Sequence, residues 1–90
     1  MENRFNHTKE RLKERYKLDL NKEEYDRLCK QVEHSFVASP YSKNRDSRIT
    51  VFKGKVITVG YNKQKKLINT VLHNNKRQLN YYKIYKQIFR

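Results

Sequence analysis

Apolar positions in this chain follow two rhythms. Through the first third they recur at helical spacing, and from about residue 35 to 72 they alternate with polar positions at the two-residue period of a strand. In 5–18, Phe5, Leu12 and Tyr16 line one edge of a predicted helix. Glu10, Lys13, Glu14 and Lys17 offer pairs three residues apart on its outside. The break falls at Asp19, Leu20 and Asn21. Asn21 is a good N-cap, and Glu24 three residues on can complete a capping box, with Leu20 and Tyr25 in the positions of a hydrophobic staple. A second helix over about 22–34 then places Tyr25, Leu28, Cys29 and Val32 at i, i+3, i+4 and i+7, a continuous face for burial.

The period then switches. Residues 35–41, with Phe36, Val37 and Ala38, predict a short strand stopped by Pro40, and the polar stretch 41–47 reads as a loop. Residues 48–53 alternate, with Ile49 and Val51 on one face and Arg48, Thr50 and Phe52 on the other. Gly54 supplies the permissive backbone of a tight turn between Lys53 and Lys55. Residues 56–61 put Ile57, Val59 and Tyr61 together, 62–66 form a very basic turn, and 67–72 are rich in β-branched side chains. Connections this short predict an antiparallel meander of three or four strands. After His73, Asn74 and Asn75, helical spacing returns over 76–90. Leu79, Tyr82, Tyr85 and Phe89 fall on one side, with Tyr81, Ile84 and Ile88 beside them. The expected architecture is a single α+β domain over 1–90: a helical pair (1–34) packed on the sheet (35–73), and a basic amphipathic C-terminal helix (74–90).

Charge changes what this domain is expected to meet. Residues 1–34 carry 9 Lys and Arg against 8 acids, a net of +1, whereas 35–90 carry 13 against Asp46 alone, a net of +12, together the +13 of the chain. Self-repulsion on that scale opposes compaction. A polyanionic partner relieves it, because Lys and Arg neutralise phosphates and release condensed counterions. The expected partner is therefore nucleic acid, RNA in preference to DNA, or a nucleoprotein complex; the plainer reading is that these Lys-rich faces are simply solvated. Hydrophobic content is low at 36%, but seven Tyr and four Phe supply large buried areas, and with only two Gly and one Pro the chain does not read as a disordered linker. Cys29 is the single cysteine, which excludes an intrachain disulfide or a Cys-based zinc site and sets a reducing, cytoplasmic location as the expectation. Met1, Glu2, Asn3 and Arg4 do not open a signal peptide, and no apolar run approaches the roughly 20 residues of a membrane span. No P-loop or dinucleotide fingerprint is present. His7, His34 and His73 are dispersed and the acids avoid the strands, so no metal site, two-metal nuclease centre or cofactor is expected.

Three groups of residues carry candidate chemistry. His7, Arg11 and Arg15, four apart, share one stripe of the first helix. Imidazole changes charge near neutrality and can move a proton, while guanidiniums hold phosphate oxygens; the alternative is an exposed polar stripe opposite the apolar edge. Arg48, Thr50, Thr58 and Thr70 on the strands, with Lys53, Lys55, Lys63, Lys65 and Lys66 in the turns, would give one sheet face the means to grip RNA backbone or a 2′-OH, though threonine is also an ordinary strand residue. In the C-terminal helix, Tyr81, Tyr82 and Tyr85 can stack on bases while Lys76, Arg77, Lys83 and Lys86 meet phosphates; equally, the aromatics can pack on the sheet with the cations in water.

The opening His7-Thr8-Lys9-Glu10-Arg11-Leu12-Lys13-Glu14-Arg15 resembles the His-Ala-x-x-Arg-x-x-x-Arg start of a small family of uncharacterised bacterial and phage domains. That family is grouped with the RelE, BrnT and colicin D type of toxin ribonuclease. The capped second helix, the Gly turn and the strand Leu67-Ile68-Asn69-Thr70-Val71-Leu72 continue the likeness over roughly 5–73. Thr8 stands where the motif has alanine, and 76–90 extend beyond it. The resemblance implies a helix pair on a four-stranded antiparallel sheet, and metal-independent RNA cleavage through the substrate's own 2′-OH. It implies catalytic roles for His7, Arg11 and Thr70, phosphate contacts from Arg15 and Arg48, and an antitoxin or host protein as a further partner. The competing expectation is a non-catalytic, phage-type inhibitor or modulator of a nucleic-acid-handling complex. A weaker one is an anionic-membrane binder working through the C-terminal helix.

Overall fold

A computed structural model describes residues 3–40 and 42–88. Seven elements follow in order: α1 (Asn3–Tyr16), α2 (Lys22–Glu33), β1 (Phe36–Pro40), β2 (Arg45–Phe52), β3 (Lys55–Asn62), β4 (Leu67–Leu72) and α3 (Lys76–Ile88). The strands form one antiparallel sheet in the order β1-β2-β3-β4. The class is α+β, with two helices before the sheet and one after it.

Local chemistry accounts for the boundaries. Glu24 N donates to Asn21 Oδ1 at 2.8 Å and Asn21 N donates to Glu24 Oε1 at 3.0 Å, a complete capping box at the start of α2. The β2–β3 hairpin turns on Lys53 (φ 50°) and Gly54 (φ 80°), the two left-handed residues that a two-residue type I′ loop requires. Tyr25, Leu28, Cys29 and Val32 are buried along α2 and meet Leu12, Leu20, Ile57, Val59, Tyr61, Ile68 and Val71 in the main core.

Alternation divides the sheet. Ile57, Val59, Tyr61, Ile68 and Val71 face the helix pair. Phe36, Ile49, Thr58 and Thr70 belong to the opposite face, by strand alternation and by their pairings Phe36–Ile49, Ile49–Thr58 and Gly60–Thr70. The segment leading into α3 starts beside the end of β4, where Thr58 Oγ1 donates to Asn74 Oδ1 and Asn74 Nδ2 donates to Val56 O. The helix then lies against β1, with Phe36 5.8 Å from the Tyr82 ring and 5.0 Å from that of Tyr85.

Side chains of α1 and α2 close the outer edge of β4. Arg15 and Tyr16 donate to the carbonyls of Val71 and Leu72, Tyr25 donates to that of Ile68, and Ile68 N donates to Cys29 Sγ. Burial pushes the Cys29 thiol and the Tyr16 phenol above their ordinary pKa values.

Two details differ from the sequence reading. β2 begins at Arg45, inside the stretch read as a loop, because Asp46 and Arg48 are held together in the interior and Arg45 pairs with Asn62. Val51 shares a face with Ile49 but is exposed, while Ile49 is fully buried. Tyr41, Phe89 and Arg90 lie outside the described residues.

Candidate functional site

His7 and Thr70 meet. The imidazole Nε2 lies 3.0 Å from the Thr70 hydroxyl, joining α1 to β4 across 63 residues of sequence. The hydroxyl can donate or accept, so it complements either neutral tautomer. Beside this contact Arg4 Nε donates to Asn69 Oδ1 at 3.0 Å. The pairing of β3 with β4 slips here: Gly60 faces Thr70 but Tyr61 faces Ile68, leaving Asn69 as the extra residue of a bulge. Bulges re-aim side chains next to functional sites. Asn69 and Thr70 accordingly line one small pocket, about 60 Å³, together with Arg45, Gly60 and Tyr61.

The remaining candidates divide by what already occupies them. In the α1 stripe, Arg11 Nη1 pairs with Glu14 Oε1 at 2.8 Å and Arg15 is engaged with the Val71 carbonyl, so His7 is the member that reaches the pocket's rim. Lys53 donates to the Asp19 carbonyl and pairs with Glu24, and Lys55 donates to the Tyr16 carbonyl. These two lysines tie the hairpin to the α1–α2 connection. Lys63 stands 3.9 Å from Asp46 and Lys66 3.5 Å from Glu33. Lys65, Lys76, Arg77 and Lys83 are exposed, and Lys86 lies 5.4 Å from the centre of the Tyr82 ring. Thr50 and Thr58 are buried and hydrogen-bonded, Thr50 to Gln31 and Thr58 to Asn74.

Arg48 requires a correction. It was expected to hold phosphate; instead it is 8% exposed and fully engaged. Its Nε and Nη2 bind Asp46 at 2.8 and 3.3 Å, and its Nη1 donates to the carbonyls of Val32 and Glu33 at the end of α2. Its guanidinium also stacks 4.5 Å above the Tyr61 ring. A guanidinium with this many short-range partners is structural. The Tyr61 hydroxyl is buried with no hydrogen-bond partner among the described residues, and desolvation raises its pKa, so the phenol stays neutral.

Arg4, Arg45, Gly60 and Asn69 escaped the sequence reading. Arg45 hid in a polar stretch that looked like loop. Asn69 did leave a signal, a strand-breaking residue amid Leu67, Ile68, Val71 and Leu72, and such a residue often marks a bulge. Arg4 has no local signature, since only the docking of α1 on β4 gives it a partner. Among the described residues, no three His, Cys, Asp or Glu side chains are grouped to hold a metal ion, and no helix is long and apolar enough to cross a membrane.

No family model, curated protein or solved structure matches this chain.

Proposed function

We propose that this chain is a small basic RNA-directed protein that cleaves its substrate as a metal-independent, toxin-like endoribonuclease. The observation that carries the reading is the contact of His7 with Thr70 at the rim of a pocket flanked by Arg45 and the Arg4–Asn69 pair. The likeness of the α1 motif to a family of uncharacterised domains grouped with toxin ribonucleases supports it. The 2′-oxygen of an RNA attacks the adjacent phosphorus, the P–O5′ bond breaks and a 2′,3′-cyclic phosphate forms. His7 takes the proton from the 2′-OH and returns one to the leaving 5′-oxygen, within the range of general acid–base catalysis. Thr70 orients the imidazole. Arg45, in the place first given to Arg48, balances the charge that gathers on the non-bridging oxygens, with Arg11 one helical turn from His7. The test is incubation of the purified protein with mixed RNA in EDTA. Cleavage is expected to survive the chelator and to fall about a hundredfold or more in His7→Ala; unchanged cleavage by the variant removes the assigned role.

One observation favours a second reading. Tyr81, Ile84 and Ile88 are exposed on α3 beside Lys76, Arg77 and Lys83, a surface suited to a partner rather than to a reaction. A non-catalytic modulator of a nucleic-acid-handling complex gives intact RNA with a salt-sensitive mobility shift in the same experiment.

A further inference from the structure

Where α3 meets the start of β1, the two do not close on each other. An open cleft of about 180 Å³ remains there, lined by His34, Ser35 and Thr50 together with Phe36, Tyr82, Tyr85 and Lys86. It is smaller than the ~300–1,000 Å³ clefts that take drug-sized ligands, and suits one planar ring. Phe36 and Tyr82 pack ring against ring at 5.8 Å, Tyr85 is 37% exposed, and Lys86 lies 5.4 Å from the Tyr82 ring centre. We infer that this cleft is a seat for an unpaired nucleobase, stacked on Tyr85, with the adjoining phosphate held by Lys86 and His34.

The polar lining bears on selectivity. Ser35 has one hydroxyl proton, used on the Gln31 carbonyl at 2.8 Å, so at the 3.2 Å contact between them Thr50 donates to Ser35. Thr50 in turn accepts from Gln31 Nε2 at 2.6 Å. That network is closed on itself, so Ser35 and Thr50 keep no hydroxyl proton for the edge of a base. Recognition there falls mainly to stacking, which tolerates sequence. Its chemistry also distinguishes single strands from duplex, where bases are already paired and stacked. Lys76 and Lys83 lie on the same helix, and there is no acid between 76 and 88 to oppose a backbone phosphate.

This inference rests on the reading of the chain as RNA-directed, and the experiment separates the two. Affinity for a short 5′-fluorescein single-stranded RNA of mixed sequence is measured by anisotropy in EDTA, in the His7→Ala background so that the RNA stays intact. Tyr85→Ala and Tyr85→Leu, the latter keeping apolar packing against Phe36, are expected to weaken binding about five- to hundredfold, the scale of one base–aromatic stack. Tyr85→Phe is expected to retain it, and binding to a duplex of the same sequence is expected not to respond to any of the three. Equal binding by all three variants overturns the base seat and leaves the RNA reading standing. Equal loss in Tyr85→Phe, or an equal loss on duplex, likewise overturns stacking. Failure of the parent to bind RNA at all overturns both.

Discussion

Arg45 and Arg48 lie three residues apart on β2 and face opposite ways. Arg48 is locked against Asp46, the end of α2 and the Tyr61 ring, whereas Arg45 stands exposed at the rim of the His7–Thr70 pocket. Their substitutions should therefore separate. Asp46→Ala leaves a buried guanidinium without its counter-charge and is expected to cost about 3–5 kcal/mol of stability in a denaturant titration. Arg45→Ala is expected to leave the melting temperature within a few degrees of the parent while lowering RNA cleavage in EDTA at least about tenfold. If Asp46→Ala unfolds at the parent's denaturant midpoint, the pair is not structural. If Arg45→Ala cleaves normally, Arg45 has no part in the site. The sequence could not tell these two arginines apart. Alternation put Arg48 on a face with Thr50 and Phe52, correctly, but which face the helices would cover depends on tertiary packing. His7 and Thr70 were legible as residue types suited to the chemistry; their contact became visible only once α1 was docked.

At the scale of elements, signals confined to a few neighbouring residues were the readable ones. The cap of α2 needs only Asn21 and Glu24, and the β2–β3 turn only Lys53 and Gly54. Asn21→Ala is expected to cost about 1 kcal/mol, read as a shift of the thermal or denaturant midpoint. Glu24 adds a pH dependence. The hydrogen bond from Asn21 N, followed by Lys53, holds its carboxyl below the ordinary glutamate value. The unfolded chain then binds more protons than the folded one between those two values. The contribution is complete above the ordinary value and is lost as pH falls through the depressed one. Glu24→Gln should flatten this acid limb of a melting-temperature profile, and a variant profile parallel to the parent's would show that the capping carboxylate does not titrate with folding. The start of β2 was not legible, because Asp46 looks like a loop residue until Arg48 and the end of α2 surround it. The Asn69 bulge was only half legible: an asparagine amid apolar strand residues marks a weak point, but a register slip belongs to two strands at once.

For the molecule as a whole, the charge asymmetry persists after folding. The single acid of the basic half, Asp46, is buried inside the protein; Lys53 and Lys66 of the turns are met by Glu24 and Glu33 of α2, whereas the cations of α3 have no acid on their own helix between 76 and 88. RNA binding should weaken steeply with salt, each neutralised phosphate of a single strand contributing about −0.7 to the slope of log K against log salt. A slope no steeper than about −1 would reduce the electrostatic partner to a single phosphate and contradict an extended basic surface.

The meeting of His7 with Thr70 has a consequence during synthesis. The hydroxyl that fixes the imidazole is made 63 residues after it, on the last strand of the sheet. Chains are made from the N-terminus at about 5–20 residues per second. Until β4 has left the ribosome, α1 has no edge to cover and the imidazole no hydroxyl to rest on. A polypeptide abandoned before that strand is basic but lacks the assembled pair, so the contact of His7 with Thr70 forms only after all four strands of the sheet have been made.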